Sequence, residues 1–206
     1  MALNRSQIIL ASASPRRAEL LDQIGIRYRV QAVDIDESRQ PNESAEFMVQ
    51  RLASEKSQAV ANNSSKLFSP NSNSITDFPV LGADTLGVLN GELLVKPKNF
   101  EHAHAMLSSM SGNWHEILSA IALSYNGQTR VKLNRNRVLF RQISSEEIEA
   151  YWQTGEPQDK AGAYAIQGLA AAFIERIEGS YSGIMGLPLF ETSQLLEEIG
   201  INIIKT

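Results

Sequence analysis

Residues 8–17 read IILASASPRR, and the side chains at the end of that stretch could hold an anion. QIILAS (7–12) has the aliphatic composition of a short buried strand. It runs into Ser12, Ser14 and Pro15, then into adjacent Arg16 and Arg17, and AELLDQIGI continues as an amphipathic helix. A helix start offers free N–H groups and the positive end of the dipole, and proline in the first turn forfeits no hydrogen bond. Two arginines in that turn run against the dipole, which favours acids, so the pair fits a place where an anion binds. Two solvated surface arginines are the alternative reading.

Other chemistry-bearing residues are scattered. PVLGAD reads as a buried strand ending in Asp84 and Thr85, and an acid at a strand end faces a cleft while the strand holds it still. An Asp that merely starts a turn is the plainer alternative. DIDES (34–38) is an acidic turn carrying Glu37. Lys96 in VKP and Lys160 in DKAGAY stand beside Pro or Gly, and Lys56 lies inside a helical pattern. Each alone is a solvated lysine; gathered with the arginines, they would make a positive pocket on a net-negative protein and suit a phosphate substrate. His102, His104 and His115 have no helical i, i+4 spacing for a metal, and His115 reads as a hydrogen-bonded residue at a strand start. The Walker and dinucleotide glycine motifs are absent, and GSYSGIMG (179–186) has the wrong spacing.

The elements that must position these groups alternate between strand and helix. RYRVQAV (27–33) alternates as a strand, and Ser44 caps an amphipathic helix reaching about Asn62. Residues 62–78 form a polar, Ser/Asn-rich patch expected as a variable surface loop. Residues 79–97 read as strand, Asn-Gly turn and return strand, and 115–140 as two strands around YNGQ. FEHAHAMLSSM (100–110) is a helix, and SSEEIEAYWQ opens with a capping box. Strands are expected over 170–179 and 201–204, with a helix in 186–200 between them. Helices interrupted by hairpins imply an α/β fold with a mixed central sheet.

Composition sets the outer limits. The 206 residues can bury a real core, and 43% hydrophobic with 20% charged residues is ordinary for a globular protein. A formal charge of −4 argues against a nucleic-acid binder. The chain has no cysteine, which excludes disulfides and thiolate chemistry and suits a reducing compartment. The opening residues lack the form of a signal peptide, and no run approaches the ~20 apolar residues of a membrane span, so a cytoplasmic location without membrane contact is expected.

In order along residues 7–200, ILASASPRRAELL, DES, RLASEK, GADT, VKP, SGNWHEILSA, DKAGAYAIQG and GLPLFET resemble the Maf family of nucleoside triphosphate pyrophosphatases. The resemblance implies one elongated domain over 1–206, with two lobes around a cleft, akin to the ITPase fold and often a homodimer. It implies hydrolysis of a nucleoside triphosphate to the monophosphate and pyrophosphate with a divalent metal cation, Mg²⁺ or Mn²⁺. Matching motifs carry over Ser12, Arg16, Arg17, Glu37, Lys56, Asp84, Lys96, Lys160 and Gln167. In this reading Asp84 is the proton acceptor, Glu37 and Asp84 hold the metal, and the basic residues hold the phosphates. An unperturbed Asp, with a pKa of ~4, would be a weak base for this work. Arg16, Thr85 and Gln167 resemble the branch acting on dTTP and UTP, and a Gln amide can pair with the N3–H and a carbonyl of a pyrimidine ring. Val95 stands where the family usually has an acid, and HEILSA replaces the commoner HxVxT; neither change touches a proposed catalytic group. The alternatives are a 7-methyl-GTP or purine (ITP, XTP) pyrophosphatase of the same type, and a non-catalytic nucleotide-binding regulator of cell division.

Overall fold

The computed structural model describes residues 6–67 and 78–204. It is a mixed α/β fold in which seven strands form one sheet, ordered β2-β1-β3-β5-β6-β7 with β4 paired to β3. The strands are β1 (Ile8–Ala11), β2 (Tyr28–Val30), β3 (Val80–Leu89), β4 (Glu92–Leu94), β5 (Trp114–Tyr125), β6 (Gln128–Phe140) and β7 (Ile174–Glu178). Between them lie α1 (Pro15–Gln23), α2 (Ala45–Leu67), α3 (Phe100–Met110) and α4 (Ser145–Gln153), and after them α5 (Tyr181–Met185) and α6 (Leu189–Glu197). The chain divides into two compact units. The first holds residues 1–84, 119–133 and 186–206, and the second holds 85–118 and 134–185.

In the first unit, β1 has no polar side chain and is buried throughout, as a strand flanked by parallel partners on both edges must be. Helix α1 starts with Pro15 as its first residue and buries Leu20 and Leu21. Gly25 ends it in the left-handed region at φ 69°, its N–H bonded to the Asp22 carbonyl. Ile9, Ala11 and Val80 from the sheet pack on Val60 of α2. That packing is unusually close at Gly82. A Cβ there would collide with the carbonyl oxygen of Ala53 and stand 2.7 Å from the amide nitrogen of Ser57. Backbone therefore meets backbone, and Ser57, fully buried, seals the contact. Its Oγ lies 2.8 Å from the Val80 carbonyl oxygen and 2.7 Å from Ser124 Oγ, and it accepts the Ser124 N–H.

The second unit has its own core, built from α3, α4 and the aromatic residues Phe140, Tyr151, Tyr164 and Phe173. Both expected hairpin turns are present. Asn90-Gly91 and Asn126-Gly127 have positive φ at both residues, the conformation that lets a two-residue turn match the twist of its strands. The capping box at Ser144 and Glu147 is also formed.

Four expectations change. The strand expected over 27–33 shrinks to Tyr28–Val30, after which Gln31 N–H still bonds across to Leu10. Helix α2 continues past Asn62 to Leu67, so the expected loop over 62–78 begins as helix; residues 68–77 lie outside the described residues. Leu169–Phe173 is a 3-10 turn, because the Glu156 carboxylate takes the amides of Leu169 and Ala170 that a strand would have used in a ladder. Residues 201–204 form no strand, because Ile201 N–H closes the end of α6 on the Leu196 carbonyl. Among the described residues no helix is long and apolar enough to cross a membrane.

Because Gly82 sets the distance between α2 and β3, Gly82→Ala is expected to destabilise the protein by about 1–3 kcal/mol through overpacking. A urea unfolding midpoint at the wild-type value would contradict this.

Candidate active site

The close approach at Gly82 brings Lys56 of α2 onto Asp84, two residues further along β3. Lys56 Nζ stands 2.7 Å from Asp84 Oδ1 and 2.5 Å from Glu37 Oε1, so one ammonium bridges two carboxylates. Lys56 and Asp84 are buried, 8% and 7% exposed, whereas Glu37 reaches in from the surface. Asp84 is not at a strand end, as its sequence context suggested, but inside β3, which continues to Leu89. A strand interior fixes the carboxylate more firmly and strips more water from it. Desolvation accordingly pushes the Asp84 pKa above the ordinary carboxylate value, outweighing the attraction of Lys56 and Arg17. Asp84 is thus a stronger base than an unperturbed Asp.

Ser12 and the two arginines complete this cluster in the first unit. Arg17 donates from Nε to the Gly186 carbonyl at 2.8 Å and from Nη1 to Ser12 Oγ at 3.0 Å. Ser12 Oγ also accepts the Ser14 N–H at 3.2 Å. The first turn of α1 holds no acid and Ser14 provides no side-chain cap, so the helix start itself places Arg16 and Arg17 against the dipole. Desolvation lowers the Arg17 pKa, and neighbouring Arg16 adds to this, while Asp84 and Glu37 oppose it. Arg17 and Lys56 face Glu37 and Asp84 in one electrostatic neighbourhood, and Arg16 lies beside Arg17. Such a set favours a polyanion, whose oxygens can replace some of the internal pairs. The two carboxylates converging on one ammonium are also a donor set that fits a hard divalent cation, which takes one or two carboxylates and fills its shell with water and phosphate oxygens. Among the described residues no group of three or more His, Asp and Glu side chains could hold a metal by itself.

Thr85, Lys96, Lys160 and Gln167 belong to the second unit. Lys96 and Gln167 are exposed, Thr85 is half-buried, and the Lys160 ammonium pairs with Asp159. Gly162 N–H bonds to the Val95 carbonyl at 3.0 Å, which ties the segment of Lys160 to that of Lys96. The segment of Gln167 is held from the other side by Glu156. That carboxylate accepts the Leu169 N–H at 2.8 Å, the Ala170 N–H at 3.3 Å and the Tyr151 hydroxyl at 2.7 Å. It packs so closely on Gly168 that a Cβ there would have to displace it. His115, expected as a hydrogen-bonded residue at a strand start, is one, in the second position of β5, and it is also a core residue. It is buried, with Nε2 2.7 Å from the Tyr164 hydroxyl, and burial lowers its pKa to about 4, leaving it neutral near pH 7. The sequence reading passed over Ser57, Glu156 and the Arg51–Glu43 pair. Each reaches a backbone group distant in sequence, and only Arg51, the first residue of RLASEK, stood inside a motif already singled out.

Comparison with known proteins places residues 7–199 under a family model described as Maf-like protein. A protein of Hahella chejuensis named dTTP/UTP pyrophosphatase is 49% identical, the match covering 97% of this chain and 95% of that protein. Its namesake in Methylobacillus flagellatus is 50% identical over 98% of each chain, and that of Aliivibrio fischeri 44% identical over 94% of this chain and 98% of that protein. Among solved structures, the Ham1 protein of Staphylococcus aureus matches with a TM-score of 0.42 and 19% identity, covering 65% of this chain and 71% of that one.

The raised pKa of Asp84 has a definite sign in stability. A carboxyl whose folded pKa exceeds its unfolded value stabilises the fold below the unfolded pKa and loses that contribution as pH rises through the folded one. The melting temperature of Asp84→Asn is therefore expected to gain on that of wild type as pH is raised from about 4 to about 7. A difference that stays constant across that range would contradict the shift.

Proposed function

The chain belongs to the Maf-like protein family, and from that footing we propose that it is a nucleoside triphosphate pyrophosphatase hydrolysing dTTP and UTP to the monophosphate and pyrophosphate. The observation that carries the reading is the ammonium of Lys56 between Asp84 and Glu37, with Arg16 and Arg17 in the same field. Curated relatives close to half identical over nearly full length carry the dTTP/UTP name, which supports the choice of bases.

In this proposal Arg16, Arg17, Lys56, Lys96 and Lys160 neutralise and orient the triphosphate, and Ser12 fixes the Arg17 guanidinium. Water attacks the α-phosphorus and yields its proton to Asp84. A new P–O bond forms to the water oxygen as the bond from the α-phosphorus to the bridging α–β oxygen breaks, and that oxygen leaves with pyrophosphate. Burial equips Asp84 for the proton transfer, because a base whose pKa is raised accepts a proton more readily. Glu37 and Asp84 would hold Mg²⁺ or Mn²⁺, which when bound supplies charge neutralisation on the phosphates and greater acidity of bound water. Gln167 reads the N3–H and a carbonyl of the pyrimidine, with Thr85 and Arg16 contributing to base choice. A homodimer in the cytoplasm completes the proposal; the cysteine-free composition suits that reducing compartment.

The test is incubation of purified protein with each nucleoside triphosphate and Mg²⁺ or Mn²⁺, measuring monophosphate and pyrophosphate together. Rapid formation of dTMP and UMP with one pyrophosphate each is expected, and Asp84→Asn should lower kcat by about 10²–10⁴-fold. Preferred turnover of 7-methyl-GTP or ITP would overturn the base assignment, and tight binding without turnover would overturn the enzyme. In the wild-type pH profile, the acid limb of kcat/KM should fall above the ordinary Asp value of 3.8, since that limb reports the free enzyme's base. A limb at or below that value would remove Asp84 from the role.

A further inference from the structure

Glu37 is the exposed member of the cluster, its side chain 60% accessible, yet it meets Lys56 at 2.5 Å. It lies in residues 31–44, a stretch containing neither helix nor strand. Such a stretch has many conformations to lose, and one ion pair at the surface contributes little toward holding it. Something else must set the position of Glu37.

That restraint comes from Arg51, on the same helix as Lys56. Its guanidinium forks onto Glu43, Nε to Oε1 at 2.7 Å and Nη2 to Oε2 at 2.9 Å. Nη2 also donates to the carbonyl of Ser38, the residue after Glu37, at 3.0 Å, while Nη1 reaches Glu55 at 3.1 Å. Glu43 extends the hold: its Oε2 accepts the Gln40 N–H at 3.0 Å, and its carbonyl accepts Arg39 Nε at 2.7 Å. The pair is well sheltered, with Arg51 17% and Glu43 8% exposed. Arg51 thus binds the loop on both sides of its turn at Pro41-Asn42, and the helix that carries the clamp also carries the ammonium that Glu37 must meet.

We propose that Arg51 is a positioning residue of the active site: with Glu43 it clamps the 36–43 loop so that Glu37 is delivered to Lys56 and Asp84. Nothing about Arg51 requires contact with the nucleotide. The planar fork is essential to the role, since a lysine ammonium can meet one or two of these acceptors but cannot span Glu43, Ser38 and Glu55 together. The catalytic part of this proposal rests on the reading of Glu37 as a member of the site; the clamp itself does not.

The experiment therefore has a structural arm and a kinetic arm, run on Arg51→Met, Arg51→Lys, Glu43→Gln, Glu37→Gln and the Arg51→Met/Glu37→Gln double variant. In the nucleotide-free protein, Arg51→Met and Glu43→Gln should speed amide hydrogen exchange in residues 36–43 by about tenfold or more, leaving β1 and β3 at wild-type protection. With dTTP and Mg²⁺, Arg51→Met should lower kcat by about 10²-fold, as expected for a misplaced catalytic group, with KM changed much less and Arg51→Lys in between. Adding Glu37→Gln to Arg51→Met should cost little more, because both remove the same contribution. Unchanged exchange in 36–43 overturns the clamp whatever Glu37 does. Faster exchange with wild-type kcat in Arg51→Met, while Glu37→Gln is slow, overturns the positioning role and leaves the reading of Glu37 standing. Multiplicative losses in the double variant overturn it as well. Wild-type kcat in Glu37→Gln overturns the reading of Glu37, and with it any catalytic purpose of the clamp.

Discussion

An ammonium and a carboxylate buried against each other, Lys56 on α2 and Asp84 inside β3, are the contact around which the first unit is arranged. Taking both charges out of water is costly, and removing one partner of such a pair typically costs about 3–5 kcal/mol because the other is left uncompensated. The upward shift of the Asp84 pKa shows which effect wins: desolvation exceeds the combined attraction of Lys56 and Arg17. A fold selected only for stability would place an apolar pair here. This one spends close packing on keeping the charges in place, through a glycine with no room for a methyl group and a buried serine joining α2 to two strands.

The same tension recurs at the start of α1. Arg16 and Arg17 oppose the helix dipole, and Arg17 is partly stripped of water, yet its two donors are fixed on the Gly186 carbonyl and Ser12. A guanidinium fixed in this way is preorganised for an anion, and in the proposed function an incoming triphosphate relieves the repulsion that the protein bears on folding. In the second unit, the Glu156 carboxylate does comparable work without bearing on charge, converting a would-be strand into the turn that follows Gln167.

Much of the fold was legible locally. The Asn-Gly turns, the Ser144–Glu147 capping box, the Pro15 helix start and the aliphatic β1 are each decided by residues within a few positions of one another. The misjudged elements share a different cause. Residues 169–173 yielded their amides to a glutamate thirteen and fourteen positions earlier, and Ile201 yielded its own to the end of α6, so tertiary or capping partners overrode strand propensity. Asp84 was singled out but set at a strand end, because GADT looks like punctuation until the partners of β3 show that it continues to Leu89.

By itself, the sequence determined most of the element types, the turn chemistry, the absence of thiol chemistry and the family motifs, hence the kind of reaction. Only the tertiary structure decided which charges meet. Lys56 and Asp84 are separated by twenty-eight positions and Ser12 and Gly186 lie on either side of Arg17 by very unequal distances along the chain, so no spacing rule joins them. It also decided the sign of the Asp84 shift, since desolvation depends on what packs around a group rather than on its neighbours in sequence. Local patterns act through the backbone within a turn or two; proximity across helix and strand is set by how closely they can approach, and here a missing side chain at Gly82 sets it.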